Sequence, residues 1–161
     1  MNLRPMTAAE FQAFRDEEVV GYADDKVRAG TWSLEDAAQK AGDEFDELLP
    51  DGLATENMLL LTADDEFGQP VGALWLCLRR GDQPGTGWIY DITIVADQRG
   101  RGLGRELLAA GEREFARHGV TTVGLNVFGD NAVARHLYES AGYRVTAQQM
   151  SKSFDAMGPA V

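Results

Sequence analysis

The chain has 161 residues, 44% of them hydrophobic and 25% charged, which fits a single domain over residues 1–161 with a core of ordinary size. Its net charge is −11, with 5 Lys/Arg against 17 Asp/Glu in residues 1–70, and this excludes nucleic acid as an expected partner, because phosphate backbones call for a basic surface. No apolar run approaches the roughly 20 residues of a membrane span, the first residues lack a secretory h-region, and the lone Cys77 can form no internal disulfide, so a cytoplasmic protein without a membrane partner is expected.

A short strand is predicted over Asn2 to Met6. Thr7 is then a good N-cap, with Glu10 three residues on as its capping-box partner. The helix that follows carries Phe11, Phe14, Val19 and Tyr22 on one stripe and ends near Gly30. Ser33 caps a second helix that runs to Leu48. The period then changes. Met58 to Thr62, Val71 to Leu78 and Trp88 to Val95 are short apolar runs bounded by turn residues, hence strands. Cys77 lies inside the second of these and reads as a buried hydrophobe. A helix from about Gly102 to His118, stopped by Gly119, precedes a strand over Val120 to Val127. Asp130 or Asn131 caps another helix, which Gly142 stops, and Tyr143 to Phe154 forms a last strand. The order βααβββαβαβ predicts an α/β (α+β) fold with one mixed central sheet flanked by helices. Hairpins join the three middle strands, and helical crossovers permit parallel pairing after them.

The most informative stretch is Ile92-Thr93-Ile94-Val95-Ala96-Asp97-Gln98-Arg99-Gly100-Arg101-Gly102-Leu103-Gly104-Arg105. A β-branched strand enters a loop with glycine at every second position and passes directly into a helix. Gly100, Gly102 and Gly104 have no Cβ, so backbone can approach a bulky anion. The free N–H groups at the helix start, aided by its dipole, suit phosphate. Three arginines crowd that positive end, an unfavourable arrangement unless an anion offsets it. A dinucleotide loop is excluded because the third glycine of G-x-G-x-x-G is missing, and a P-loop because no G-K-[ST] occurs. No metal site is expected.

Here the chain resembles the GNAT acyltransferase superfamily, over nearly its whole length. The pyrophosphate pattern [RQ]-x-x-G-x-[GA] is met by Arg99-Gly100-Arg101-Gly102-Leu103-Gly104. About 30 residues on, Asn131 is followed on a helix by Tyr138, and Glu139-Ser140-Ala141-Gly142-Tyr143 continues in the family's manner. The resemblance implies acetyl-CoA as co-substrate and an amine acceptor. It places Ile92, Thr93 and Ile94 along the pantetheine arm and Gly100, Arg101, Gly102, Leu103, Gly104 and Arg105 around the pyrophosphate. It sets Asn131 against nearby cofactor atoms and Tyr138 at the sulfur. Asn126 stands where some members carry a catalytic Glu, and it is counted with the cofactor-binding residues.

The implied reaction is attack by a neutral primary amine of a small molecule on the thioester within a ternary complex. An incoming ammonium must shed a proton. Asp91, on the strand leading to the cofactor, is the expected base, and Tyr138 the group that assists the leaving thiolate. The acidic first half suits a cationic acceptor. Two other readings fit the same motifs: acetylation of a protein N-terminus or lysine, and an acyl-CoA-binding module without turnover. The sequence does not name the oligomeric state, and a homodimer is compatible with it.

Overall fold

The computed structural model describes residues 1–152. The chain begins with β1 (Asn2–Pro5), followed by two helices, α1 (Ala8–Arg28) and α2 (Leu34–Leu48). Both helices start where side-chain capping predicts. The Thr7 hydroxyl accepts from the Glu10 N–H, Glu10 accepts in return from the Thr7 N–H at 2.8 Å, and the Ser33 hydroxyl accepts from the Asp36 N–H. Three strands come next: β2 (Met58–Asp64), β3 (Pro70–Cys77) and β4 (Thr86–Ile94). Helix α3 (Leu103–Arg117), strand β5 (Thr122–Leu125) and helix α4 (Ala132–Ser140) complete the order. No helix among the described residues is long and apolar enough to cross a membrane.

The five strands form one sheet in chain order. β1 to β4 pair antiparallel, as hairpin connections require, and β5 pairs parallel to β4 after the α3 crossover. Each face of the sheet carries its own core. Leu74, Leu76 and Ile89 meet Leu107, Leu108 and Phe115 of α3 on one face. Leu60 and Trp75 meet Phe14 of α1 and Phe45 of α2 on the other. Phe115 is 1% exposed, and its truncation to alanine would cost about 3–5 kcal/mol.

Two features of this framework position the site. The first is a bulge. Trp75 pairs with Asp91 but Leu76 pairs with Ile89, which leaves Tyr90 as the extra residue in β4. A bulge breaks the strict alternation of side chains, so Tyr90 and Asp91 both belong to the α1/α2 face. Tyr90 accordingly stacks on Trp75, with centroids 4.7 Å apart. The second is the short reach of β5. Pairing runs from Thr86–Thr122 to Ile89–Leu125 and stops. The stretch of β4 from Tyr90 to Ile94 therefore has no strand on its β5 side among the described residues.

One expected element is corrected. Tyr143 to Lys152 is not a strand, and Phe154, the expected end, lies outside the described residues. The physical reason is the lack of a face to bury: Val145 is 70% exposed and Met150 86%. Beyond Tyr143, whose ring packs on Tyr138, a segment with exposed apolar side chains and no ladder gains too little to offset its ordering.

At the other edge, Arg4 of β1 donates to both Glu10 oxygens, at 2.7 and 2.8 Å, and to Asp64 at 2.7 Å. With the Thr7 N–H, these bonds hold the Glu10 carboxyl down from 4.5 to about 2. A carboxyl depressed by folding stabilises the protein above its ordinary value and loses that effect as pH falls towards the folded value. Glu10→Gln should therefore lower the urea midpoint at pH 7, modestly because the pair is partly exposed. The gap between variant and wild type should narrow as pH falls from about 4.5 to about 2. A gap that does not change with pH would remove the ion pair from the account.

Candidate functional site

Strand β4 delivers the chain into a loop whose backbone is built for a bulky anion. Gly100 and Gly102 have φ of 76° and 81°, left-handed values that favour glycine. A Cβ at either position would meet no protein atom within 4 Å, so the space before the loop is open. Gly102 is also the N-cap residue of α3. Where Thr7, Ser33 and Asn131 cap their helices with side-chain oxygens, Gly102 offers none. The Gly102 carbonyl accepts from the N–H of Arg105 and Glu106, while the first N–H groups of α3 face outward by helix geometry. Arg99, Arg101 and Arg105 stand exposed around them. Arg99 donates to the Ile94 carbonyl at 2.9 Å, Arg101 to Gln98, and Arg105 to the Ser140 hydroxyl at 2.8 Å. The last bond ties the loop to the end of α4, and a Cβ at Gly104 would lie 3.6 Å from Leu137 of the same helix. Loop and α4 are therefore neighbours.

Asp91 and Tyr138 meet between these elements. Asp91 is half-buried as a residue, yet its Oδ2 is sealed from solvent and has no hydrogen-bond partner among the described residues. Its Oδ1 accepts from Thr93 at 3.2 Å. Burial pushes the carboxyl up to about 6. Tyr138 is 8% exposed and packs edge-on against Tyr143, at 5.7 Å between centroids. Burial and then the charge of Asp91 raise its phenol to about 12. The two side chains thus sense one another although 47 positions separate their numbers in the sequence.

The remaining residues singled out from the sequence divide. Ile92 and Ile94 pack into the α3 core, and Thr93 serves Asp91. Asn131 caps α4, its Oδ1 accepting from Ala134 at 3.1 Å. Asn126 is exposed just beyond the end of β5. His136 is exposed and His118 closes α3, so neither histidine joins the site.

One residue escaped the reading of the sequence. Glu18 of α1 is half-buried, and its carboxyl is raised well above the ordinary range by burial and by the charge of Asp91. The signal was present. Glu18 lies four residues from Phe14 and four from Tyr22, on the buried stripe of the helix. A charged residue inside an apolar stripe is the feature to flag.

Two cavities do not coincide with this chemistry. One, of about 350 Å³, is lined by Asn57, Arg79, Gly85 and His118 near the opposite end of β4. Another, of about 230 Å³, lies where the end of α1 meets the loop before α4. Arg28 bridges its rim, donating to Asp130 at 2.6 Å. The sealed carboxylate and the glycine loop mark the site better than cavity size does.

With this geometry in place, comparison with known proteins is specific. The model of the acetyltransferase (GNAT) family matches residues 26–143. The uncharacterized N-acetyltransferase YycN of Bacillus subtilis (strain 168) is 35% identical over 150 residues, covering 93% of this chain and 96% of that one. The crystal structure of YycN superposes with a TM-score of 0.90, over 95% of this chain and 98% of that one. The mycothiol acetyltransferase of Kocuria rhizophila is 31% identical over 140 residues, which span 83% of this chain but 44% of that protein.

Proposed function

The chain belongs to the GNAT acetyltransferase family and is an acyltransferase, and from that premise we propose that it moves the acetyl group of acetyl-CoA onto a primary amine of a small molecule. The observation that carries this reading is the convergence of a sealed carboxylate, a buried phenol and an uncapped helix start at one end of β4. The mycothiol acetyltransferase relative, named for a small-molecule acceptor, supports the acceptor class.

Acetyl-CoA supplies the activated acyl group as a thioester. The open glycine loop and the outward N–H groups of α3 fit its pyrophosphate, and the edge of β4 from Tyr90 to Ile94 that β5 leaves uncovered fits its amide-bearing arm. Asn131, capping through Oδ1, keeps its amide N–H groups for the cofactor side. Asp91 accepts the proton of the incoming ammonium on Oδ2, which frees the nitrogen lone pair. The nitrogen–carbon bond then forms as the carbon–sulfur bond breaks, and the second nitrogen proton finishes on the departing sulfur. Tyr138 donates a hydrogen bond to that sulfur. A phenol at about 12 is a poor acid towards a thiolate of pKa about 8.5, so hydrogen bonding rather than full transfer is its contribution.

Two measurements test the reading: calorimetry with acetyl-CoA and thiol release across a panel of amines. A folded chain that neither binds acetyl-CoA nor releases thiol with any amine would overturn it. Tyr138→Phe keeps the ring and removes the hydroxyl, so acetyl-CoA affinity should hold. An interaction that strengthens as sulfur gains charge shows in kcat more than in KM. Because the acid is mismatched, a loss near the low end of general-acid effects is expected, about tenfold to a hundredfold. A wild-type kcat would reduce Tyr138 to packing.

A further inference from the structure

Helix α1 rests on the sheet through an aromatic stripe, and Phe14 meets Trp75 edge-on at 6.3 Å. Glu18 follows one turn later on the same stripe. Trp75 is the register partner of Asp91, which the bulge keeps on this face. The face therefore holds two carboxyls within electrostatic reach of each other, one on α1 and one on β4. It also holds two sealed polar atoms without partners among the described residues, Asp91 Oδ2 and Trp75 Nε1. Trp75 is 3% exposed, so solvent does not serve its Nε1. A buried acceptor left unsatisfied carries the desolvation penalty of the group, and in a native structure it calls for a reason such as a catalytic role or a bound water or ion.

Resting on the acetyltransferase reading, we propose that Glu18 and Asp91 form one ammonium subsite that binds the acceptor as its cation and rejects amines bearing a carboxylate beside the nitrogen. An ammonium N–H supplies the donor that Asp91 Oδ2 lacks. Glu18 acts as a positioning and specificity residue: it holds the nitrogen while Asp91 takes the proton. The step balances, since the ammonium loses one proton, Asp91 gains it, and Glu18 keeps its charge facing the now neutral amine. A substrate carboxylate would sit against two acidic groups, and like-charge juxtaposition is a strong means of exclusion.

The electrostatic surroundings agree. The charges that reach Glu18 are those of Asp91 on β4 and of Glu17 and Asp25 on its own helix, and the charge of Asp91 also reaches Tyr138 on α4. Both carboxyls are raised, first by burial, so the site holds protons more tightly than free carboxyls do. A bound cation reverses that effect, so binding should release a proton.

Methylammonium and glycine are the matched probes, because they differ by one carboxylate and are small enough for any pocket. Carboxyl ¹³C NMR on the full chain follows Glu18 and Asp91 directly, at constant ionic strength. Methylammonium should shift both resonances saturably and release protons. Glycine should bind at least about tenfold more weakly, a difference of about 1.4 kcal/mol. Glu18→Gln should weaken methylammonium by about tenfold or more, and Glu18→Asp should recover part of that loss; Asp91→Asn should bring the Glu18 midpoint down, because the Asp91 charge helps to raise it. Methylammonium that moves neither carboxyl, glycine that binds as well, or a Glu18 midpoint unmoved in Asp91→Asn would each overturn the subsite. Acetyl-CoA calorimetry on the same samples keeps the two ideas apart. Equal binding by wild type and Glu18→Gln leaves the parent reading intact whatever the probes do, and loss in both sinks that reading instead.

Discussion

Gly104→Val should weaken acetyl-CoA binding by a hundredfold or more, about 2.7 kcal/mol, while the protein stays folded. Gly104 is the second residue of α3, and its φ is not left-handed. Valine is a better helix former than glycine, and a Cβ here meets Leu137 at an ordinary 3.6 Å. The fold therefore tolerates the change. The backbone N–H groups around this position are those assigned to the pyrophosphate, and a branched side chain keeps the anion from reaching them. Gly102, which looked equivalent in the sequence, is a poorer choice. Its φ of 81° strains any side chain, so a lost affinity there would be ambiguous. Calorimetry with acetyl-CoA on a folded Gly104→Val variant decides the matter, and wild-type affinity would remove the loop from the site.

Asp91→Asn should lower kcat/KM by about 10²–10⁴, the usual range for a general base, without loss of stability. Burial lifts the Asp91 carboxyl from 3.8 to about 6. The folded chain binds this proton more tightly than the unfolded chain, so the ionised group destabilises the fold. That penalty is absent below about 3.8 and complete above about 6. Asparagine cannot ionise and can still accept from Thr93. The variant should therefore melt at or above the wild-type temperature at pH 8, with the advantage vanishing as pH falls below about 4. Wild-type kcat/KM should decline on the acid side through about pH 6. Thermal melts and steady-state kinetics at matched pH separate the roles: a variant that melts lower and turns over normally would make Asp91 a structural carboxylate.

What the sequence disclosed and what it concealed follow from the range of each interaction. The starts of α1, α2 and α4 were legible because capping is local: Thr7 with Glu10, Ser33, and Asn131 act within three residues. The glycine loop was legible for the same reason. The bulge at Tyr90 was not, because it exists only in the register between β4 and β3. Its consequence, that Asp91 faces α1, was concealed with it. Glu18 went unread because periodicity is sought among apolar residues, and Val19 beside it satisfied the pattern. The expected strand after Tyr143 failed for the converse reason. Local β-propensity could be read there, but the buried surface needed to fix a strand could not.

The early end of the β4–β5 ladder leaves the second half of β4 as an edge. Edges are hazards in the cell, since any passing extended chain can join them. A short edge that runs straight into a glycine loop admits a different set of visitors. A protein strand needs about 4.8 Å on either side and room for side chains above and below. A slender, unbranched arm with amide groups along it needs far less. The stretch from Tyr90 to Ile94 is short, so it gives an extended protein chain little ladder to join while still offering backbone to such an arm.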